Sequence, residues 1–361
     1  MSALYTLEEM PRQIEALADD VRDLIAPLAN QARTILAATQ SGDIARIVLT
    51  GNGDSYHAAL ATEMAFTSLA GLACAPLSTL RLLKYGLPPE PEGARGTLMV
   101  AISASGGNLR ALQAITRAHE AGVRTVAITS TPDSPLAQAA GHTLIAPLTG
   151  LRPCPGIRTH QASLLSLFLL AIELGRTRAH LTPAQADQHQ AELAATSDAI
   201  EATSSVTASI CKHLGPRLAD APVVMTLGCG PGYGSALFTA AKLVETAGVC
   251  AVGQDLEEWE HVESLAQPRD MPTIIFATPG HSYDRAVAVT RRAIEIGRTV
   301  IAVTDASDTT LAEVADIVPV HGAGREEFSP LLTQVVAGHL AHQTAQYLGR
   351  VPFSAPALGH R

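Results

Sequence analysis

Between about residue 7 and residue 40 the apolar positions recur at three- and four-residue steps, with Ile14, Leu17, Val21, Leu24, Ile25 and Leu28 on one stripe. That spacing predicts helix. The period then changes. "RIVLTG" reads as a strand and "DSYHAALATEMAFTSLAG" as an Ala-rich helix. "TLMVAIS" is apolar almost throughout, the pattern of a strand covered on both faces. "NLRALQAITRAHEAG" predicts a helix, "TVAITS" a strand, "SPLAQAAG" a short helix and "HTLIAPL" a strand. Alternation of this kind predicts βαβ units around a parallel sheet.

The order then recurs. "PVVMTLG", "SALFTAAKLVETAG", "PTIIFATPG", "DRAVAVTRRAIEIG", "TVIAVTD", "TTLAEVAD" and "DIVPVHG" follow the first set element by element. Gly230 lies 177 residues after Gly53, and Gly297 lies 175 after Gly122, so the chain reads as an internal duplication. Between the copies, residues from about 160 to 215 predict two helices. The expected organisation is an N-terminal helical segment (1–40), a first α/β domain (41–160), a helical connector (161–215), a second α/β domain (216–345) and a C-terminal tail (346–361).

Composition narrows the function. Hydrophobic residues make up 47% of the 361, ample for two cores, while aromatics at 4% leave little stacking surface for bases. A formal charge of −9 with no basic run argues against nucleic acid and against an anionic membrane surface. The five cysteines, Cys74, Cys154, Cys211, Cys229 and Cys250, show no CxxC spacing and are expected to be mostly buried thiols. The first residues lack the apolar core of a signal peptide, and no stretch reaches the ~20 unbroken apolar residues of a membrane span. These features predict a soluble cytoplasmic protein.

In an open parallel sheet, ligands bind where strand ends lead into helix N-termini. "GNGDS" (51–55), "SASGGN" (103–108) and "PGIRTHQAS" (155–163) fall there. Glycine lets the backbone approach closely, and hydroxyls with helix N–H groups suit a phosphate. No GKS or GKT follows, so this is not a Walker A loop. No His, Asp and Glu set has ligand spacing, so no metal site is expected. Taken alone, "GNGDS" is equally an ordinary turn of an α/β fold.

A Gly-rich loop followed by "ISASG" after the next strand, in two tandem copies, resembles the sugar isomerase (SIS) family, and within it the isomerase half of the glucosamine-6-phosphate synthases. The resemblance covers roughly residues 40 to 345 and implies two flavodoxin-like domains, a phosphosugar substrate, no cofactor and a homodimer. It places Asn52, Gly53, Asp54 and Ser55 on the loop lining sugar and phosphate. Ser103, Ala104 and Ser105 fall on the family's phosphate-binding "SQSG", and Asn108 stands where a Thr is typical. Ile157 and Thr159 fall on a "GVAS" segment that contacts substrate. "AAKLVETAG" looks like the family's "ALKLKE" helix, which puts Lys242 on its Lys and Glu245 on its catalytic base. "EWEH" looks like "ELKH" and places His261 on the ring-opening His, which the family contributes across the dimer.

The implied reaction is aldose–ketose isomerisation, or deamination coupled to it, of a hexose 6-phosphate derivative. His261 would open the ring, Glu245 would move a proton between C1 and C2, and Lys242 would stabilise oxyanion charge. A fructosamine-phosphate deglycase and a non-catalytic sugar-phosphate sensor are the rival readings; a Rossmann dehydrogenase fails because "GNGDSYHA" lacks the third Gly.

Each residue also has a plainer role open to it. Lys242 and Glu245 fit an ordinary surface ion pair three residues apart. His261 fits a solvated loop, His57 and His160 fit structural histidines, and Trp259 fits packing. Ser103 and Ser105 fit caps of the helix beginning "NLRALQ".

The pattern also departs from the family. The glutaminase portion and the tail "LAKS" are not found, which argues against glutamine-dependent amino transfer. Asp54 replaces a typical Thr, and a carboxylate repels phosphate. Arg158, where a small residue is usual, would restore positive charge if it turned inward.

Overall fold

The computed structural model describes residues 5–39, 41–86, 96–322 and 324–353. Parts of the expected N-terminal segment (1–4 and 40) and of the expected tail (354–361) lie outside the described residues. In the first half the strands are β1 (Arg46–Gly51), β2 (Ala73–Ser78), β3 (Thr97–Ile102), β4 (Arg124–Thr129) and β5 (His142–Ile145). In the second half they are β6 (Val224–Gly228), β7 (Ala251–Asp255), β8 (Pro272–Phe276), β9 (Thr299–Asp305) and β10 (Asp316–Val320).

Each half forms a five-stranded sheet, ordered β2-β1-β3-β4-β5 and β7-β6-β8-β9-β10. Every pairing is parallel. Both are α/β folds with flanking helices, and the two strand orders are the same. β3 is buried at all six positions, as its uninterrupted apolar run requires.

The duplication extends to single dihedral angles. Gly53 has φ 53° and ψ −129°, and its counterpart Gly230 has φ 54° and ψ −129°. The helices that follow both end at a glycine with φ 63°, Gly71 and Gly248. Positive φ of this kind is open to glycine and costly for other residues.

The chain folds into two compact units, each assembled from separate stretches of sequence. One comprises the described residues of Met1–Ala18, Leu151–Arg158 and Thr196–Arg361, the other Asp19–Gly150 and Thr159–Ala195. The second of these has a core of Val48, Met99, Ala101, Ile115 and Ala127 with their neighbours. The first has one around Leu227, Trp259, Ile275, Val289 and Ala302, so Trp259 is packing.

Four elements carry no clear signal in the sequence. β2, "ACAPLS", and β7, "AVGQD", are edge strands, partly exposed, with a proline or glycine breaking any alternation. Helix Leu256–His261 is short, and Asp255 caps it by accepting from the N–H groups of Glu257 and Glu258. Helix Pro330–Leu348 is buried around most of its circumference, which erases the one-sided period that marks a surface helix.

Candidate active site

The sheet order reverses at β1, which pairs with β2 on one side and β3 on the other. A crevice opens at such a point beyond the strand ends. A Cβ on Gly51 would stand 2.6 Å from Ser55 Cβ, so the chain can fold back onto the first turn of helix Asp54–Ala70 only with glycine there. The Tyr56 and His57 N–H groups donate to the Gly53 carbonyl, and Ser55 N–H donates to the Asn52 carbonyl.

Asn52 ties three loops together. Its Oδ1 accepts from Thr79 Oγ1 at 2.7 Å, after β2. Its Nδ2 donates to Asn108 Oδ1 at 3.0 Å, after β3. The loop after β3 is fastened to β4: the Ala104 carbonyl accepts from Ser130 N–H and from Thr129 Oγ1, each at 3.0 Å. Ser103 is buried, while Ser105 and Asn108 are exposed. A Cβ on Gly106 would lie 2.0 Å from Ser134 Oγ. The capping role open to Ser103 and Ser105 falls instead to Asn108, whose Oδ1 accepts from Ala111 N–H at 3.0 Å. Ser105 Oγ accepts from Gly107 N–H at 3.3 Å.

Asp54 opens its helix, where a negative charge is favoured. Its carboxylate is 3.8 Å from His57 Nδ1, and the buried His160 donates through Nδ1 to the Asp54 carbonyl at 3.2 Å. His160 is therefore structural, and it also orients the loop.

Ile157 is fully buried, close to Gly338, so any contact it makes with a ligand falls to its backbone. Arg158 is buried as well, and Thr159, partly buried, accepts from Ser163 Oγ through its carbonyl.

In the second half, helix Pro231–Lys242 runs into a π-helical turn, Leu243–Ala247. Lys242 Nζ lies 2.5 Å from Glu245 Oε2 and 5.1 Å from the Phe238 ring centroid. The Lys242 side chain has no solvent exposure and that of Glu245 is 29% exposed, which removes the reading of an ordinary surface pair. Phe353 N–H donates to the Glu245 carbonyl at 2.8 Å.

Two neighbours of this pair carried no sequence signal. Cys154 lies within reach of the charges of Glu9, Lys242 and Glu245. Burial first, and then the Glu9 carboxylate, push its thiol up to about 12, so it stays protonated. Only tertiary folding brings residues so distant in the chain together.

His261 ends its short helix with its side chain 67% exposed and its Nε2 3.3 Å from Glu257. Among the described residues no contact joins it to Glu245. All five cysteines are free. Cys211 is buried, Cys250 is exposed and the other three are half-buried, which corrects the expectation of mostly buried thiols. Cys250 precedes the edge strand β7 and lies between the exposed Gly248 and Val252, which leaves its thiol uncovered against the general tendency of cysteine to bury. Among the described residues no group of three His, Cys, Asp or Glu is placed to hold a metal ion. Among them, too, no helix is long and apolar enough to cross a membrane.

These features give two kinds of chemistry: hydroxyls and helix N–H groups that suit an anion, and a solvent-accessible carboxylate paired with a buried cation. The chain is 27% identical over 351 residues to a glutamine–fructose-6-phosphate aminotransferase (isomerizing) of Gloeobacter violaceus. The alignment covers 96% of this chain and 56% of that one, so the chain spans about half the length of this relative.

The C-terminal domain of a glucosamine-fructose-6-phosphate aminotransferase from Francisella tularensis superposes with a TM-score of 0.85 at 17% identity, covering 95% and 97% of the two chains. A Silicibacter pomeroyi protein described as a candidate phosphosugar isomerase superposes with a TM-score of 0.80 at 21% identity, covering 96% and 99%. The SIS domain family matches twice, over residues 43–170 and 217–342. With two matches that together cover more than half of its length, the chain belongs to the SIS domain family.

Proposed function

We propose that the protein is a phosphosugar-processing enzyme, an aldose–ketose isomerase or aminosugar-phosphate deaminase/isomerase acting on a hexose 6-phosphate derivative. The observation that carries this reading is the buried charge of Lys242. At the spacing of 177 residues shown by Gly53 and Gly230, Lys242 and Glu245 stand where the first copy has Ala65 and Ser68. Ala65 is fully buried in a regular helix, and the π turn at this place belongs to the second copy. The fold is thus satisfied by alanine at a position where a buried ammonium is costly. A paired Lys and Glu kept there in spite of the cost, on a π turn, has the character of a catalytic pair.

In this mechanism Ser55, Ser103, Ser105 and Asn108 bind the phosphate through hydroxyl, amide and backbone N–H donors, and Asn52 holds their loops together. His261, exposed on its helix, opens the sugar ring and is presented to a second copy of the chain. Glu245 removes the proton from C2 of the open-chain aldose and returns it to C1 through a cis-enediol, so no atom is gained or lost. Lys242 stabilises the charge that develops on the enediolate oxygens.

The test is exchange of the C1 and C2 protons with deuterated solvent, followed by NMR on hexose and aminohexose 6-phosphates. The wild type is expected to exchange them. Glu245→Gln is expected to lose exchange by about 10²–10⁴-fold while still binding the phosphosugar. Binding by the wild type without exchange would identify a sensor and refute the enzymatic reading.

A further inference from the structure

We infer that Glu257, gripped by Arg285, is a positioning residue for opening of the sugar ring: it fixes which nitrogen of His261 carries the proton and leaves the other for the substrate. The inference deepens the phosphosugar reading above and rests on it.

Glu257 and His261 lie four residues apart on helix Leu256–His261, so their side chains share one face. His261 Nε2 is 3.3 Å from Glu257 Oε1. The second oxygen, Oε2, accepts from Arg285 Nε at 2.6 Å. Arg285, on helix Tyr283–Glu295, also donates through Nη2 to Glu260, so one guanidinium ties down two carboxylates of the short helix. The hydrogen bond from Arg285 holds the Glu257 carboxyl below the usual carboxylate range, so at neutral pH it is ionised and can only accept. The imidazole nitrogen facing it therefore carries a hydrogen, and the neutral ring keeps its lone pair on Nδ1.

The internal copy shows that the fold does not call for this arrangement. At the spacing of 177 residues, Glu257, Trp259 and His261 correspond to Leu80, Leu82 and Lys84. Leu82 and Trp259 are both fully buried, so the packing position is kept. Leu80 and Lys84 are exposed, so the same turn meets solvent there with neither the carboxylate nor the imidazole. At the spacing of 175 residues Arg285 corresponds to Arg110, which donates to Gln113 on its own helix at 2.8 Å. Exposed ion pairs contribute little to stability, so folding does not account for an acid and a histidine standing together on the second turn.

Ring opening uses both nitrogens. The C1–O5 bond breaks and its electron pair goes to O5. The proton of the anomeric hydroxyl passes to Nδ1 and from there to O5, which leaves the C1 aldehyde with no atom gained or lost. O1 and O5 are both bonded to C1, so one nitrogen serves both transfers. Between them the ring is an imidazolium, and the ionised Glu257 beside Nε2–H stabilises it, as the carboxylate of a hydrolytic triad does.

The experiment follows interconversion of the α and β anomers of hexose and aminohexose 6-phosphates by exchange NMR with the full chain. Ring opening and closing alone interconvert them, so the assay reads this step apart from proton transfer between C1 and C2. The wild type is expected to exceed the uncatalysed rate. Glu257→Ala is expected to lose at least about tenfold of that acceleration while calorimetry shows unchanged affinity for the sugar phosphate. Glu257→Gln, which still accepts from Nε2–H but lacks the charge, is expected to fall between. Arg285→Gln should cost less, and nothing further once Glu257 is alanine. Full acceleration in Glu257→Ala, or additive losses at the two positions, overturns the role of Glu257 and leaves the phosphosugar reading standing. A wild type that exchanges C1 and C2 protons but leaves the anomers at their uncatalysed rate does the same. A wild type that does neither overturns both.

Discussion

Acid should loosen the helix against which the Lys242–Glu245 turn is packed, and His339 is the reason. Helix Pro330–Leu348 packs on helix Pro231–Lys242 and on the π turn that carries Glu245. Ser235 Oγ and Thr333 Oγ1 form a buried hydrogen bond 2.8 Å long across that interface. On the same helix His339 is only 8% exposed, with Nε2 3.0 Å from Ser204 Oγ. Burial first, and then the neighbouring His342, lower its pKa from 6.5 to about 4. His342 is shifted in the same direction, again chiefly by burial.

Above pH 6.5 His339 is neutral both folded and unfolded, and its contribution to stability is fully present. Between 6.5 and about 4 the unfolded chain takes up the proton and the folded chain does not, so stability falls with pH. At about 1.4 kcal/mol per pH unit the loss over that window is roughly 3 kcal/mol, and it ends below pH 4, where both states are protonated. In a domain of this size that corresponds to a fall in Tm on the order of 5–10 °C.

The assay is calorimetric melting from pH 7.5 to 4 of the wild type and of His339→Gln, which can still bond Ser204 but does not titrate. The variant should show a visibly shallower fall. Parallel curves for the two proteins would refute the argument.

Backbone handedness and the loop network give two further predictions. Gly53→Ala forces a side chain into φ 53°, ψ −129° and should cost about 1–3 kcal/mol in denaturant melts, with Gly230→Ala costing a similar amount because its angles match. An unchanged midpoint in either would contradict the assigned conformation. Asn52→Ala removes bonds of 2.7 and 3.0 Å to Thr79 and Asn108. It should lower stability by only about 1–3 kcal/mol. Sugar-phosphate affinity should suffer more visibly, and calorimetry showing full affinity would separate the network from ligand binding.

Elements whose apolar pattern matches their burial were legible in the sequence. "TLMVAIS" announced a strand covered on both faces because β3 is one, and the glycine loops marked the strand ends at Asn52 and Ser103. β2 was hidden because Pro76 and its partial exposure break both the alternating and the continuous pattern. Helix Pro330–Leu348 was hidden for the opposite reason, since burial on most sides leaves no polar face to set a period.

At the candidate site, spacing told only that Lys242 and Glu245 could meet. A surface pair has the same spacing, and it took the packed structure to show that Lys242 is sealed from solvent. Cys154 and Glu9 reach that neighbourhood through tertiary folding, which one-dimensional spacing does not encode.

The loops at Gly53 and Gly230 exclude side chains by chirality, not by volume. A Cβ built on either would meet no atom within 4 Å, yet the backbone angles there are close to the mirror image of an extended polyproline-like conformation. For a residue of the opposite hand those angles would be relaxed. Natural L-amino acids leave glycine as the solution, so random mutation can enlarge or recharge every other position of the Asn52–Ser55 loop more readily than this one. The hinge of the crevice is thereby held constant while its chemistry is free to change, as the contrast between Asp54 and Pro231 shows.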